Sequence, residues 1–177
     1  GLPQPYLGDG VVIGVLDSGI DYTHPDFKTA GGLTRMKGLF DFSFGTLGRE
    51  WSIGSIDSAT STEYDGTKGS GHGTHVAGTA AGGGRLNTAY VGMAPNADLV
   101  FVKGMRDTAS GTGFGDNDVV AGCQFIFDKA RALGKPCVIN LSLGAQLGPH
   151  DGTSPYEQGL DRLTHPGNII VAAAGNS

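Results

Sequence analysis

A histidine framed by glycines, in Gly71-His72-Gly73-Thr74-His75-Val76-Ala77-Gly78, is the strongest candidate for proton transfer in this chain. A general base shows one ring nitrogen to a nucleophile while a carboxylate orients the other, so it needs an exposed place on rigid structure. The small residues after His72 read as a helix whose start provides that place. Upstream, the apolar run Val11-Val12-Ile13-Gly14-Val15-Leu16 leads into Asp17-Ser18-Gly19, a buried strand delivering a carboxylate at its C-terminal edge. Downstream, Ile169-Ile170-Val171-Ala172-Ala173-Ala174 runs into Gly175-Asn176, and a side-chain amide at such a strand end can donate to an oxyanion. Spacing alone does not choose between His72 and His75 as the base.

The elements that must position these groups follow from alternating apolar runs and helical patterns. Strands are expected at 11–16, near 37–43, at 98–103, 137–142 and 168–174, and helices at 73–82, 117–133 and 155–164. Such alternation predicts an α/β fold, a mainly parallel sheet with helices on both faces, whose sites lie beyond the strand C-termini. Asp17, Ser142-Leu143-Gly144 and Asn176 all fall there. Residues 44–70 are polar, glycine-rich and patternless, and hold the single tryptophan, Trp51; they read as an ordered surface excursion before the histidine helix.

Asp17-Ser18-Gly19, the histidine segment, Asn140-Leu141-Ser142-Leu143-Gly144 and Ala173-Ala174-Gly175-Asn176 together resemble, in order, the motifs of subtilisin-like serine proteases. The resemblance spans nearly the whole of residues 1–177, read as one domain that is the N-terminal portion of a catalytic domain. It implies a three-layer subtilisin-like fold, incomplete in this chain, and a secreted serine endopeptidase. In it Asp17 orients His72, His72 rather than His75 is the base, and Asn176 donates to the oxyanion. His75 is then a partly buried helix residue.

The nucleophilic serine that the resemblance requires, expected after the asparagine in a Gly-Thr-Ser segment opening a helix, is not found before Ser177. Gly152-Thr153-Ser154-Pro155 has the triplet but precedes Asn176, and Ser154, Pro155 and Glu157 form a capping-box helix start. The serine is expected on a missing segment or a partner chain. Truncation, a split or internally processed enzyme, and a catalytically inactive peptide-binding relative are the three explanations that compete. On its own the chain is expected not to hydrolyse peptides.

Ser110-Gly111-Thr112-Gly113-Phe114 and Ser142-Leu143-Gly144 resemble the two stretches that sandwich an extended peptide in these proteases. Glycines there let a substrate backbone approach closely. The plain reading of the first stretch is a loop before a helix. Ala173, Ala174 and Gly175, with the residues from Leu143 to Gln146, wall part of the first specificity pocket in the resemblance. No cofactor is required. Calcium stays open, since relatives bind it through the loop after the histidine helix, but here residues 82–90 supply Asn87 and no carboxylate. Asp116-Asn117-Asp118 mimics a calcium cluster yet stands where a helix begins, which favours capping and dipole chemistry.

Other classes fare worse. His72 and His75 at i, i+3 lack the i, i+4 spacing and flanking Glu of helical zinc proteases, so no metal site is assigned. A nucleotide-binding domain needs Gly-x-Gly-x-x-Gly after a strand, and no apolar strand precedes Gly69 to Gly73. A net charge of −5 with 16% charged residues and no basic stripe argues against nucleic acid. No apolar stretch is long enough to span a membrane. No signal-peptide pattern opens the chain, so Gly1 is expected to follow a removed leader and pro-segment or an expression boundary. Asn140 matches a glycosylation acceptor but ends a buried strand. Cys123, in a helix, and Cys137, in a strand, read as free core thiols. The 32 glycines do not repeat with a period and fit tight loops.

Overall fold

The computed structural model describes residues 6–65, 71–108, 111–145 and 148–176. In chain order these form Val12–Asp17 (β1), Met36–Asp41 (β2), Arg49–Trp51 (β3), Ile53–Asp57 (α1), His72–Ala81 (α2) and Asp98–Lys103 (β4). There follow Met105–Thr108 (β5), Gly111–Phe114 (β6), Asp116–Ala132 (α3), Cys137–Leu141 (β7), Pro155–Asp161 (α4) and Asn168–Ala172 (β8). Six strands form one sheet in the order β3-β2-β4-β1-β7-β8, parallel except for β3, which runs antiparallel along β2. The expected three-layer α/β architecture is present.

Two cores, one on each side of the sheet, account for the layering. On one side Val12, Leu16, Val100, Val102 and Ile139 meet Val119, Cys123, Ile126 and Phe127 of α3, with Tyr156 and Leu160 of α4 packed against them. On the other, Val15, Leu39, Leu99 and Phe101 meet Ala77 and Ala81 of α2 and Ile56 of α1. Strands β1 and β4, covered on both faces, are apolar between their ends, whereas β2, β3 and β7 carry Lys37, Glu50 and Asn140 in their interiors. Close approach is enforced by glycine: a Cβ on Gly14 would stand 2.4 Å from Ile126 Cγ2, and one on Gly122 would stand 2.4 Å from Leu16 Cδ1.

Several boundaries differ from the sequence reading. Helix α4 stops at Asp161 rather than 164, and β8 at Ala172 rather than 174. Residues 44–65 carry β3 and α1, and Trp51 is buried with Arg49 stacked 4.0 Å over its ring. Composition hides these elements because a three-residue edge strand and a five-residue helix are too short to show a period. Residues 66–70, the remainder of that excursion, lie outside the described residues. The β5–β6 hairpin replaces the loop read before α3. Strand β8 pairs with β7 at the sheet edge, with Ile170 against the core and Ile169 and Val171 each 51% exposed.

Candidate active site

Asp17 ends β1, which lies between β4 and β7 in the centre of the sheet. Its carboxylate is 1% exposed, and Oδ1 accepts the Ser18 N–H at 2.7 Å. His72 opens α2, and its Nδ1 lies 2.7 Å from the same Oδ1. That oxygen already receives an N–H, and a carboxylate only accepts, so Nδ1 is the protonated ring nitrogen and Nε2 carries the lone pair. The histidine side chain is 55% exposed against 1% for its partner, which leaves Nε2 open to a substrate.

Glycine makes this pairing sterically feasible. Gly71 precedes α2 with φ 67°, a left-handed turn that aims the helix start at β1. A Cβ on Gly73 would lie 2.1 Å from the Gly19 carbonyl oxygen and 3.1 Å from Asp17 Cβ. Helix α2 therefore sits on the Asp17-Ser18-Gly19 turn at backbone contact.

A row of buried charges backs the pair. Lys103 lies opposite both Asp17 of β1 and Asp41 of β2, and all three are buried. The Lys103 ammonium donates to the Tyr64 carbonyl at 3.0 Å and stands 3.7 Å over the Tyr64 ring. Beside it Glu63 accepts the Ile20 N–H at 2.9 Å. Burial pushes the Glu63 carboxyl up to about 8, against the pull of the Ile20 amide and of Lys103. Sequence reasoning passed over Glu63, Asp65 and Lys103. One signal was there: the apolar strands β1, β2 and β4 each end on a charge, Asp17, Asp41 and Lys103.

The residues expected to hold substrate fall into two groups. Gly111, Thr112 and Gly113 form strand β6 of the hairpin, while Ser110 lies outside the described residues. The hairpin is tied to α3 by Arg106, which reaches Asp118 through Nε at 2.5 Å and Nη2 at 3.2 Å. Ser142, Leu143 and Gly144 follow β7, and the Ser142 hydroxyl accepts from Asn140 Nδ2 at 2.8 Å. An open groove of about 1520 Å³ has Gly113, Ser142, Leu143 and Gly144 among its walls. Ala174, Gly175 and Asn176 close it on the β8 side. Asp17 and His72 do not line that groove. Gln146 and Ser177 lie outside the described residues, as do Gly69 and Ser70.

Two other readings, those of His75 and Asp118, change. His75 is exposed rather than partly buried, because it lies on the solvent side of α2. Of the capping and dipole reading of Asp116-Asn117-Asp118 the capping half fails, since Gly115 occupies the N-cap position of α3 without a side-chain bond and Asp118 is taken by Arg106, while Asp116 and Asp118 do stand in the first turn at the positive end of the helix. Ser154 caps α4 in a full capping box, accepting from Glu157 N at 3.2 Å while Glu157 Oε2 accepts from Ser154 N at 3.1 Å. Cys123 and Cys137 are free and buried, and burial pushes both thiols up to about 12. Asn87 Oδ1 accepts the Ala89 N–H within its own turn. Among the described residues no group of three or more His, Cys, Asp or Glu is placed to hold a metal ion. No helix among them is long and apolar enough to cross a membrane.

The sequence model of the subtilase family matches residues 8–177. The chain belongs to the subtilase family. This subtilase chain is 35% identical over 176 residues to a subtilisin of Bacillus sp. (strain TA39), covering 99% of this chain and 36% of that protein. It is 33% identical to subtilisin DY of Bacillus licheniformis, covering 98% of this chain and 50% of the relative. Among solved structures it is similar to the Clostridium perfringens CspB protease, with a TM-score of 0.85 and 34% identity over 97% of this chain and 36% of that one. Sphericase gives a TM-score of 0.68 at 31% identity, over 99% of this chain and 49% of that one. The subtilase chain thus spans between about a third and a half of the relatives it matches, and its relationship is to serine proteases.

Proposed function

We propose that this chain supplies the Asp/His pair and the oxyanion amide of a serine endopeptidase that cleaves protein substrates bound in extended form. The observation that carries the reading is the 2.7 Å contact between His72 Nδ1 and the buried Asp17 carboxylate, with the other ring nitrogen turned to solvent. Asp17 holds the ring in the tautomer whose Nε2 takes the proton of a serine hydroxyl. The serine oxygen attacks the scissile carbonyl, and the imidazolium returns the proton to the leaving amine. Asn176 donates to the oxygen that becomes negative, and Gly111, Thr112 and Gly113 with Ser142, Leu143 and Gly144 flank the peptide as neighbouring strands. The serine belongs to a segment or partner chain other than the residues described. Operation outside the cell, without an obligatory cofactor, completes the reading.

An inactive peptide-binding relative is the second reading, favoured by the open groove beside Ser142 and Asn176. The nucleotide-binding reading has no such support, since β1 runs into Asp17-Ser18-Gly19. Intact-mass measurement of the purified protein followed by a fluorophosphonate probe, which labels only an activated serine, separates them. A labelled species, whether this polypeptide in a longer form or a co-purifying chain, with labelling lost on His72→Ala, supports the protease. Labelling that survives His72→Ala overturns the assignment of the base, and peptide binding without any label favours the second reading.

A further inference from the structure

Helix α2 begins without a cap of its own. Its N-cap residue, Gly71, has no side chain to offer, so the first-turn N–H groups need acceptors from elsewhere. Two arrive from outside the helix. The Gly73 N–H donates to Ser18 Oγ at 3.0 Å, and the Thr74 N–H donates to Asp65 Oδ2 at 2.7 Å. The two acceptors are themselves joined, because Ser18 Oγ–H donates to Asp65 Oδ1 at 2.7 Å. Since the Ser18 N–H also holds Asp17 Oδ1, a continuous path runs from the carboxylate that orients His72 to the backbone of the helix that carries it.

Asp65 is delivered to this point by a strap that is itself anchored. Tyr22 Oη donates to the Ser61 carbonyl at 2.8 Å, the Ile20 N–H donates to Glu63, and Lys103 holds the Tyr64 carbonyl. The strap lies on the turn so closely that a Cβ on Gly19 would stand 2.2 Å from the Tyr64 oxygen. Both oxygens of Asp65 are used, one for each half of the pair, and its charge suits the positive end of a helix.

We propose that Asp65 is the positioning residue of the Asp17–His72 pair, fixing the start of α2 against the Asp17-Ser18-Gly19 turn through Ser18 and Thr74. The proposal rests on the reading of that pair as the acid–base machinery of a protease. Without the clasp, the helix start is free to move relative to β1, and the His72 ring loses its fixed distance from Asp17.

The test is proton NMR of the nitrogen-labelled 177-residue chain, following the His72 Nδ1–H, whose hydrogen bond to a carboxylate places it far downfield. In Asp65→Ala this proton is expected to exchange with solvent at least about tenfold faster or to vanish, the size expected for losing a charge-assisted hydrogen bond, while core amides of β4 and β7 keep their shifts. Asp65→Asn, which keeps one acceptor oxygen, falls between, and Ser18→Ala, which cuts one branch, weakens the signal in the same direction. A folded Asp65→Ala with an unaltered His72 proton overturns the proposal. Should that variant unfold, unaltered signals in both Asp65→Asn and Ser18→Ala overturn it equally. A parent chain that shows no such proton sinks the reading of the pair itself, a different failure from that of the clasp.

Discussion

The α-carbon of Gly73 lies against the carbonyl oxygen of Gly19, so close that a methyl added to Gly73 would stand 2.1 Å from it. The first turn of the histidine helix and the turn after Asp17 are in backbone contact, and the Asp17–His72 distance depends on it. Gly73→Ala is therefore expected to cost at least about 3 kcal/mol and to separate the pair, because the obstructing atom is main chain and cannot rotate away. Thermal unfolding beside labelling by a fluorophosphonate of the assembled enzyme checks it; a variant with unchanged midpoint and labelling refutes the contact.

Replacing Asp17 by asparagine keeps the shape of the side chain and removes the carboxylate. An amide can present its NH₂ to His72 Nδ1, which then becomes the acceptor and leaves the proton on Nε2, the wrong nitrogen for a base. On the proposed function the expected loss is roughly 10⁴-fold in the rate of serine labelling, with little change in peptide affinity. A loss confined to affinity would remove Asp17 from the proton-transfer machinery.

Glu63 gives a pH signature. Its carboxyl is pushed up from an ordinary 4.5 to about 8 by burial, so between those values the folded chain keeps a proton that the unfolded chain has released. The unfolded state binds fewer protons there, and stability falls as pH rises from about 4.5 through about 8. Glu63→Gln, whose amide oxygen can still accept the Ile20 N–H, removes this dependence. Urea titrations at pH 5 and pH 8 should show the variant gaining on the parent at the higher pH, and a parallel pair of curves would contradict the assignment.

Arg35 ties the far end of the histidine helix. Its guanidinium donates to the Ala81 carbonyl at 2.7 Å, the Ala97 carbonyl at 2.8 Å and the Asp26 carbonyl at 3.1 Å. Burial, with a smaller contribution from nearby Arg85, lowers its pKa from the ordinary value. Arg35→Met strands the Ala81 carbonyl at the negative end of α2 together with the carbonyls of Ala97 and Asp26, and the expected cost is about 3 kcal/mol, roughly a 10 °C fall in Tm for a domain of this size. A fall of only a degree or two would mean that those carbonyls find other donors.

The thiols of Cys123 and Cys137 are both buried and pushed up to about 12, so neither presents a thiolate at neutral pH. Native protein at pH 8 is expected to leave both unmodified by iodoacetamide, and denatured protein to show both modified by mass. Fast modification of either in the native state would contradict its place in the α3 core.

Periodicity and strand-end chemistry were enough to read β1, β4, β7 and β8, the helices α2, α3 and α4, and the placing of Asp17 at the end of β1, whereas Asn176 lies beyond the end of β8 at Ala172. Those features are local, since strands of a parallel sheet carry near-continuous apolar runs and a glycine-framed helix start is written in neighbouring residues. Residues 44–65 were not legible, because β3 and α1 are too short to repeat and take their shape from the sheet edge they cover. The choice of His72 over His75 could not come from spacing either. It became visible in the tertiary structure, where His72 faces Asp17 and His75 faces solvent.

The sequence by itself determined the layered α/β fold and which polar groups stand at strand ends and helix starts, because hydrophobic period and residue chemistry are properties of short segments. Only the tertiary structure decided that Asp65 caps a helix whose own cap is glycine, that Lys103 sits between two aspartates, and that Asp118 serves Arg106. Each of those pairings joins residues on different elements. A polar side chain buried with its element must take whichever partner the fold brings within hydrogen-bond reach, and that partner is set by packing rather than by position in the chain.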